Sequence, residues 1–280
     1  MSAISRLVWR AWEPIAERAA RSYTAGPELR DALHKAVAVG HQGIATTICP
    51  WDGPADSPRQ IADSYVTALR AIRGTALDCY VSVKAPSLTF SRDLLAEIID
   101  AADRGTRIHF DSLAPEAADR TWELIHYAAT RHPQVGCTLP ARWRRSASDL
   151  VQARELGVSV RVVKGQWADS ERSEPEPRAN FLALVDELAG HPSRVAVATH
   201  DPSLARDALT RLRGTGTGCE LELLFGLPMR NQLQVARTLG VPVRVYIPYG
   251  HAWLPYGLSQ VRQNPRIVWW TVRDWVAGWV

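Results

Sequence analysis

Short β-prone apolar runs recur along the chain at near-regular intervals: "GIATTIC" (43–49), "CYVSVKA" (79–85), "TRIHF" (106–110), "VGCTL" (135–139), "VSVRVVKG" (158–165), "RVAVATH" (194–200), "CELELLFG" (219–226) and "VPVRVYIP" (241–248). Between them lie segments whose apolar residues follow the helical period, such as "DLLAEIIDAADRG", "AADRTWELIHYAATRHP", "SASDLVQARELG", "PSLARDALTRLRG" and "RNQLQVARTLG". Several close on Gly or His-Pro, which stop helices. Strands alternating with helices build a parallel sheet. A count of eight favours a closed (βα)8 barrel over an open doubly wound sheet, and no GxGxxG follows the first run.

Composition narrows the class. A chain of 280 residues suits one barrel of ~250 residues. The expected division is a helical N-terminal segment over 1–40, a barrel over 41–265 and a Trp-rich tail over 266–280, in a single domain. The net charge of +4 comes from interspersed acids and bases with no Lys/Arg block, which gives no argument for nucleic acid. No run approaches the ~18 apolar residues of an integral membrane segment. The opening "MSAISRLVWRAWEPIAERAARSY" has an amphipathic helix pattern rather than that of a signal peptide. Cys49, Cys79, Cys137 and Cys219 lie far apart in or beside apolar runs, without metal-ligand spacing. They read as buried free thiols of a cytoplasmic protein. The tail "RIVWWTVRDWVAGWV" reads as a helix packed across the barrel bottom or at a subunit interface, which leaves a homo-oligomer open.

In such a barrel the chemistry sits at the C-terminal ends of the strands. Those ends carry Lys84, His109 and Asp111, Arg161 and Lys164, Thr199 and His200, Glu222 and Tyr246. A lone rim lysine is unremarkable, whereas polar groups converging from six strands mark a site. "VVKG" ends a strand with Lys164 and Gly165, a pair in which glycine lets backbone N–H groups approach a phosphate and lysine supplies charge. "ATHDPS" has two readings. Asp201 and Pro202 match a helix N-cap and first turn, which would make His200 structural, or His200 belongs to the site. "SERSEPEPR" (170–178) is a polar loop long enough to cover a ligand.

The ordered strand ends resemble the proline dehydrogenase family, flavin-dependent (βα)8 barrels, over roughly residues 40–265. "RVVKGQWADSE" is similar to that family's Arg-Leu-Val-Lys-Gly-Ala-Tyr stretch, and "ATHD" to its Ala-Thr-His-Asn. "CELELLFGLP" resembles its Glu-Phe-Gln-x-Leu-x-Gly strand, "VRVYIPYGHAWLPY" its last strand and the run into the last helix, and "VSVKAPS" the strand with an active-site lysine. The resemblance implies FAD at the barrel mouth. Arg161 would lie against the isoalloxazine, Val163, Lys164 and Gly165 near the pyrophosphate, and Thr199 and His200 along the ribityl–phosphate region. Lys84, Leu224, Tyr246 and Tyr256 would line the substrate side, with Lys84, Arg161, Tyr246 and Tyr256 as the catalytic set. The implied reaction removes hydride from a carbon next to nitrogen of a small molecule.

The departures concern the substrate. Where the family carries two consecutive arginines that clamp the proline carboxylate, this chain has Ser259 and Gln260, with Gln263 in place of a glutamate. Losing two charge-assisted contacts should cost on the order of 3 to 6 kcal/mol of binding to a free amino acid. Arg262, one turn on, is a partial substitute. Pro140 stands where the family has a flavin-contacting glutamine, and either His109 or Asp111 takes the place of the aspartate paired with Lys84. The leading expectation is an FAD-dependent dehydrogenase or oxidase of specialised, biosynthetic metabolism. Its substrate would be a modified or non-proline amine, imine or N–N compound, for instance a carrier-bound one. The alternatives are a proline dehydrogenase with a different clamp and a ligand-binding barrel that has lost FAD.

Overall fold

The computed structural model describes residues 24–53, 55–165 and 177–250. Helix α1 (Leu29–Gly40) leads into an alternating series: β1 (Ala45–Trp51), α2 (Pro58–Ile72), β2 (Cys79–Val83), α3 (Arg92–Ala101), β3 (Ile108–Phe110), α4 (Ala118–Arg131), β4 (Val135–Pro140) and α5 (Ser146–Leu156). The second half continues with β5 (Ser159–Val163), α6 (Pro177–Glu187), β6 (Val195–Ala198), α7 (Pro202–Gly214), β7 (Cys219–Leu224), α8 (Arg230–Leu239) and β8 (Val243–Gly250). All pairings are parallel and the sheet closes, β1 to β8 in order and back to β1. The closing seam runs from Ala45↔Arg244 to Trp51↔Gly250. The eight strands fall within or against the runs read from the sequence, so the (βα)8 barrel is observed.

Local chemistry sets the boundaries. Ser57 and Gln60 close a capping box ahead of α2, with Pro58 opening its first turn. Ser91 accepts the Leu94 N–H ahead of α3. Gly157 and Gly240 end α5 and α8 in the left-handed conformation, at φ of 63° and 61°. The N-terminal segment before residue 24, the loop "SERSEPEPR" up to residue 176 and the Trp-rich tail lie outside the described residues.

The strands bury apolar side chains outward. Ile48, Val81, Val83, Ile108, Phe110, Val160, Val162, Val195, Val197, Leu221, Leu223, Val245 and Ile247 all join the core beneath the helices. Each such side chain contributes about 1.5–3 kcal/mol when fully buried. The alternate positions face the barrel interior, and most of them are polar. Opposed residues share a face, so Thr47, Tyr80 and Tyr246 line up in register, as do Ser82 with His109, Thr138 with Arg161, and Glu222 with Arg244. Barrel interiors are usually filled by branched apolar side chains. This one is filled by arginines, glutamates, tyrosines and hydroxyls, buried in pairs.

Candidate active site

The strand ends deliver five of the expected groups into one connected cluster. Arg161, buried on β5, places Nε 2.8 Å from Glu222 Oε2 and Nη1 2.8 Å from Asp111 Oδ1. Its remaining donors reach Ser82 Oγ at 3.2 Å and Tyr80 Oη at 3.3 Å, and the guanidinium lies 5.2 Å from the centre of the Tyr246 ring. Burial works against the guanidinium charge, but Glu222 and Asp111 hold it protonated, with its pKa well above the ordinary arginine value. Asp111 gathers the rest: its carboxylate accepts from Ser82 Oγ (2.7 Å) and from the Tyr246 hydroxyl (2.7 Å). Burial, reinforced by Asp111, drives the Tyr246 phenol well above its usual pKa, so it remains a proton donor.

Lys84, half-buried just past β2, settles which residue it pairs with. It pairs directly with neither His109 nor Asp111. Its ammonium donates to the Pro50 carbonyl at 2.7 Å and lies 3.0 Å from Cys49 Sγ. That thiol is in turn 3.8 Å from Asp111 Oδ2. Its backbone N–H donates to Tyr65 Oη of α2 at 3.0 Å, which anchors the strand end. Burial raises the Cys49 pKa even against the neighbouring Lys84, so the contact joins an ammonium to a thiol.

Two histidines expected at the site do not join the cluster. His109 lies in the middle of β3, not at its end; its Nε2 is 3.0 Å from Thr138 Oγ1 and its ring stacks on Tyr80. Burial and the Arg161 charge push its pKa well below the usual value, leaving a neutral ring buried inside the barrel. His200 has both ring nitrogens engaged. Nε2 accepts from the Leu224 N–H at 2.8 Å, and Nδ1 faces the Pro228 carbonyl at 3.2 Å. Asp201 accepts from the Ser203 and Leu204 N–H groups and caps α7, with Pro202 in the first turn. The N-cap and first turn of "ATHDPS" are thus observed, and His200 ties the end of β6 to the loop after β7.

The remaining groups ring the mouth without joining the cluster. Val163 is half-buried at the end of β5 and Lys164 is exposed beside it. Gly165 follows at φ +91°, and a Cβ there would lie 2.9 Å from Pro140 Cβ, so glycine is required twice over. The Lys164 carbonyl receives the Arg142 N–H at 3.2 Å, which brings the β4 and β5 loops together. Thr199 is half-buried and its hydroxyl accepts the Asp201 N–H. Leu224 closes β7. Tyr256, Ser259, Gln260, Arg262 and Gln263 lie outside the described residues.

This chain matches no family model. Its sequence is 25% identical over 263 residues to proline dehydrogenase 1 of Bacillus subtilis subsp. natto, covering 88% of this chain and 87% of that one. It is 26% identical over 283 aligned positions to proline dehydrogenase of Deinococcus radiodurans, covering 92% and 90%. Over nearly its whole length the chain is thus similar to proline dehydrogenases. Its fold matches the solved proline utilization A proteins of Bdellovibrio bacteriovorus (TM-score 0.75, 15% identity, 89% of this chain) and Corynebacterium freiburgense (TM-score 0.70, 17% identity, 97% of this chain). It spans about a third of the length of those two solved chains, 33% and 34%.

Within this barrel, sequence reading missed Cys49, Ser82, Tyr80 and Thr47, which donates to Glu222 Oε1 at 3.2 Å. The signal was present. Tyr80 and Ser82 stand four and two residues before Lys84, and period 2 puts all three on one face of β2.

Proposed function

We propose that this FAD-dependent oxidoreductase removes hydride from the carbon beside the nitrogen of L-proline or a closely related cyclic amine. The observation that carries the reading is the cluster at the C-terminal mouth: Asp111, Arg161, Glu222 and Tyr246 are tied into one network by contacts of 2.7–2.8 Å, and Lys84 joins it through Cys49. The residues present fit FAD. Gly165, where a Cβ would collide with Pro140, leaves a bare backbone next to the exposed Lys164, a cradle suited to a phosphate. Arg161, Val163, Lys164, Gly165 and Thr199 would hold the cofactor. His200 supports the wall behind them through Leu224 and Pro228. FAD, when bound, supplies the hydride acceptor.

The chain's own residues do the rest by placement and charge. Asp111 fixes the Tyr246 hydroxyl and the Arg161 guanidinium in one geometry, so neither has to reorganise when charge develops at the mouth. Tyr246 keeps its phenolic proton on Oη and directs it to Asp111. Lys84 commits two of its three N–H donors to Pro50 and Cys49, which leaves one for a ligand.

Free L-proline is favoured by the relatives, whose names carry that activity. A second reading, a substrate whose carboxylate is absent, moved or masked as an amide or carrier thioester, is favoured by two observations. Ser259 and Gln260 are neutral, and in the cluster Lys84 and Arg161 are cancelled by Asp111 and Glu222, so it offers a carboxylate no net attraction.

Anaerobic titration of the FAD-loaded protein tests both readings. L-proline is expected to bleach the visible flavin bands, and prolinamide or a prolyl thioester to bleach them at lower concentration if the second reading holds. In that case the Ser259→Arg/Gln260→Arg double variant reverses the preference. Protein that takes up no FAD, or flavin that dithionite bleaches and none of these amines does, overturns the proposal.

A further inference from the structure

The barrel has a second polar chamber at the end opposite the mouth. A cavity of about 340 Å³ is lined at the N-terminal ends of the strands by Arg107, Gln134, Ser159, Arg194 and Arg244, with Asp78 at its edge. That volume lies at the lower end of small-molecule sites, which begin near ~300 Å³. One buried carboxylate organises it. Glu220 is approached by Arg244 Nε at 3.0 Å, Arg194 Nη1 at 3.3 Å and Arg107 Nη1 at 3.6 Å. Asp78 adds a second carboxylate, 2.8 Å from Arg244 Nη2. Three guanidinium groups against two carboxylates leave one positive charge in surplus.

The accounting of donors points the same way. Arg244 is engaged at all three nitrogens, by Glu220, Asp78 and the Thr46 carbonyl. Arg107 is not: it stacks on Tyr80 at 4.8 Å, and its buried Nε has no hydrogen-bond partner. Arg194, with 44% of its side chain exposed, spends one nitrogen on Glu220 and has others to spare. Among the described residues, no hydrogen bond engages the Gln134 amide or the Ser159 hydroxyl, although both face the cavity. The buried Arg107 Nε without an acceptor costs free energy, and the exposed Arg194 and Gln134 can turn their donors to a ligand beside it.

We infer that this chamber is a second binding site and takes a small oxyanion of the phosphate class, free or as a phosphomonoester, held by Arg107, Arg194, Gln134 and Ser159. A tetrahedral oxyanion brings acceptor oxygens in several directions, and its negative charge meets the surplus positive one. The site is independent of the flavin mouth. Tyr80 lies between the two chambers: its hydroxyl reaches Arg161 while its ring lies between Arg107 and Arg244.

The test titrates inorganic phosphate, and separately glycerol phosphate, into the FAD-loaded protein at ionic strength held constant with chloride. Thermal denaturation and calorimetry are the readouts. Saturable stabilisation and binding of one equivalent by either phosphate are expected, and the tighter of the two identifies the source. Arg194→Ala should weaken that binding about tenfold, the loss of one charge-assisted contact. Gln134→Ala on the exposed rim should weaken it a few-fold, which keeps the test usable if Arg194→Ala does not fold. No stabilisation beyond chloride by either ligand, or undiminished affinity in the variants, overturns the inference.

Discussion

Asp111 touches side chains from four strands: Ser82 of β2, Arg161 of β5, Tyr246 of β8 and, more loosely, Cys49 of β1. Glu222 shares Arg161 with it from the other side. The two carboxylates differ in depth, with side-chain exposures of 14% for Asp111 and 2% for Glu222, and this separates their roles. Removing one partner of a buried ion pair costs about 3–5 kcal/mol. Glu222→Gln should approach that range in urea denaturation. Asp111→Asn, nearer the mouth and with Arg161 still paired to Glu222, should lose about 1–3 kcal/mol, the value of a hydrogen bond to a charged group. Flavin reduction by substrate should show the reverse order, with Asp111→Asn the slower. If both variants lose stability and rate in the same order, depth does not divide the work.

At the scale of elements, alternation was the most legible feature. In "CELELL" and "VRVYIP" every second residue is apolar and lies under a helix, and the residues between them are the site or its support. The strands could therefore be read directly, and the same alternation puts Arg161, Glu222 and Tyr246 on the inner face. Partners across the barrel could not be read. The Lys84 contact depends on the Pro50 carbonyl of a neighbouring strand, and a backbone oxygen leaves no trace in side-chain pattern. His109 misled for a related reason: it has the right parity but stands one layer deep, and a three-residue strand gives little measure of depth. Helix caps were legible because they are local. Asp201→Ala removes acceptors for the Ser203 and Leu204 N–H groups, at 2.8 and 3.1 Å. It should cost about 1 kcal/mol, or about 2–4 °C in Tm for a protein of this size. An unchanged Tm would show that solvent satisfies those groups equally well.

At the scale of the whole molecule, filling a barrel with charge and imidazole makes its stability depend on pH. His109, His191 and His200 are all held below the ordinary histidine pKa of 6.5, with burial the leading cause in each case. For His200 the value falls to about 4. Above pH 6.5 these rings are neutral both folded and unfolded, and the full stability is present. As pH falls below 6.5, the unfolded chain takes up protons that the folded chain refuses, so stability is lost, for His200 until pH passes about 4. One such ring contributes about 1.4 kcal/mol per pH unit, or about 2 kcal/mol between pH 6.5 and 5. Glu220, held low by Arg244 and Arg107 against its burial, adds its own loss only below the ordinary carboxylate range. Urea midpoints across pH 7 to 5 should therefore fall steadily in the native protein. His200→Gln, whose amide can accept from the Leu224 N–H and donate to the Pro228 carbonyl, should keep the loop in place and remove about 2 kcal/mol of that dependence. The same slope in both proteins would mean that His200 is free to take up a proton in the folded barrel, and the clamp between β6 and β7 would then not be what holds this wall of the mouth.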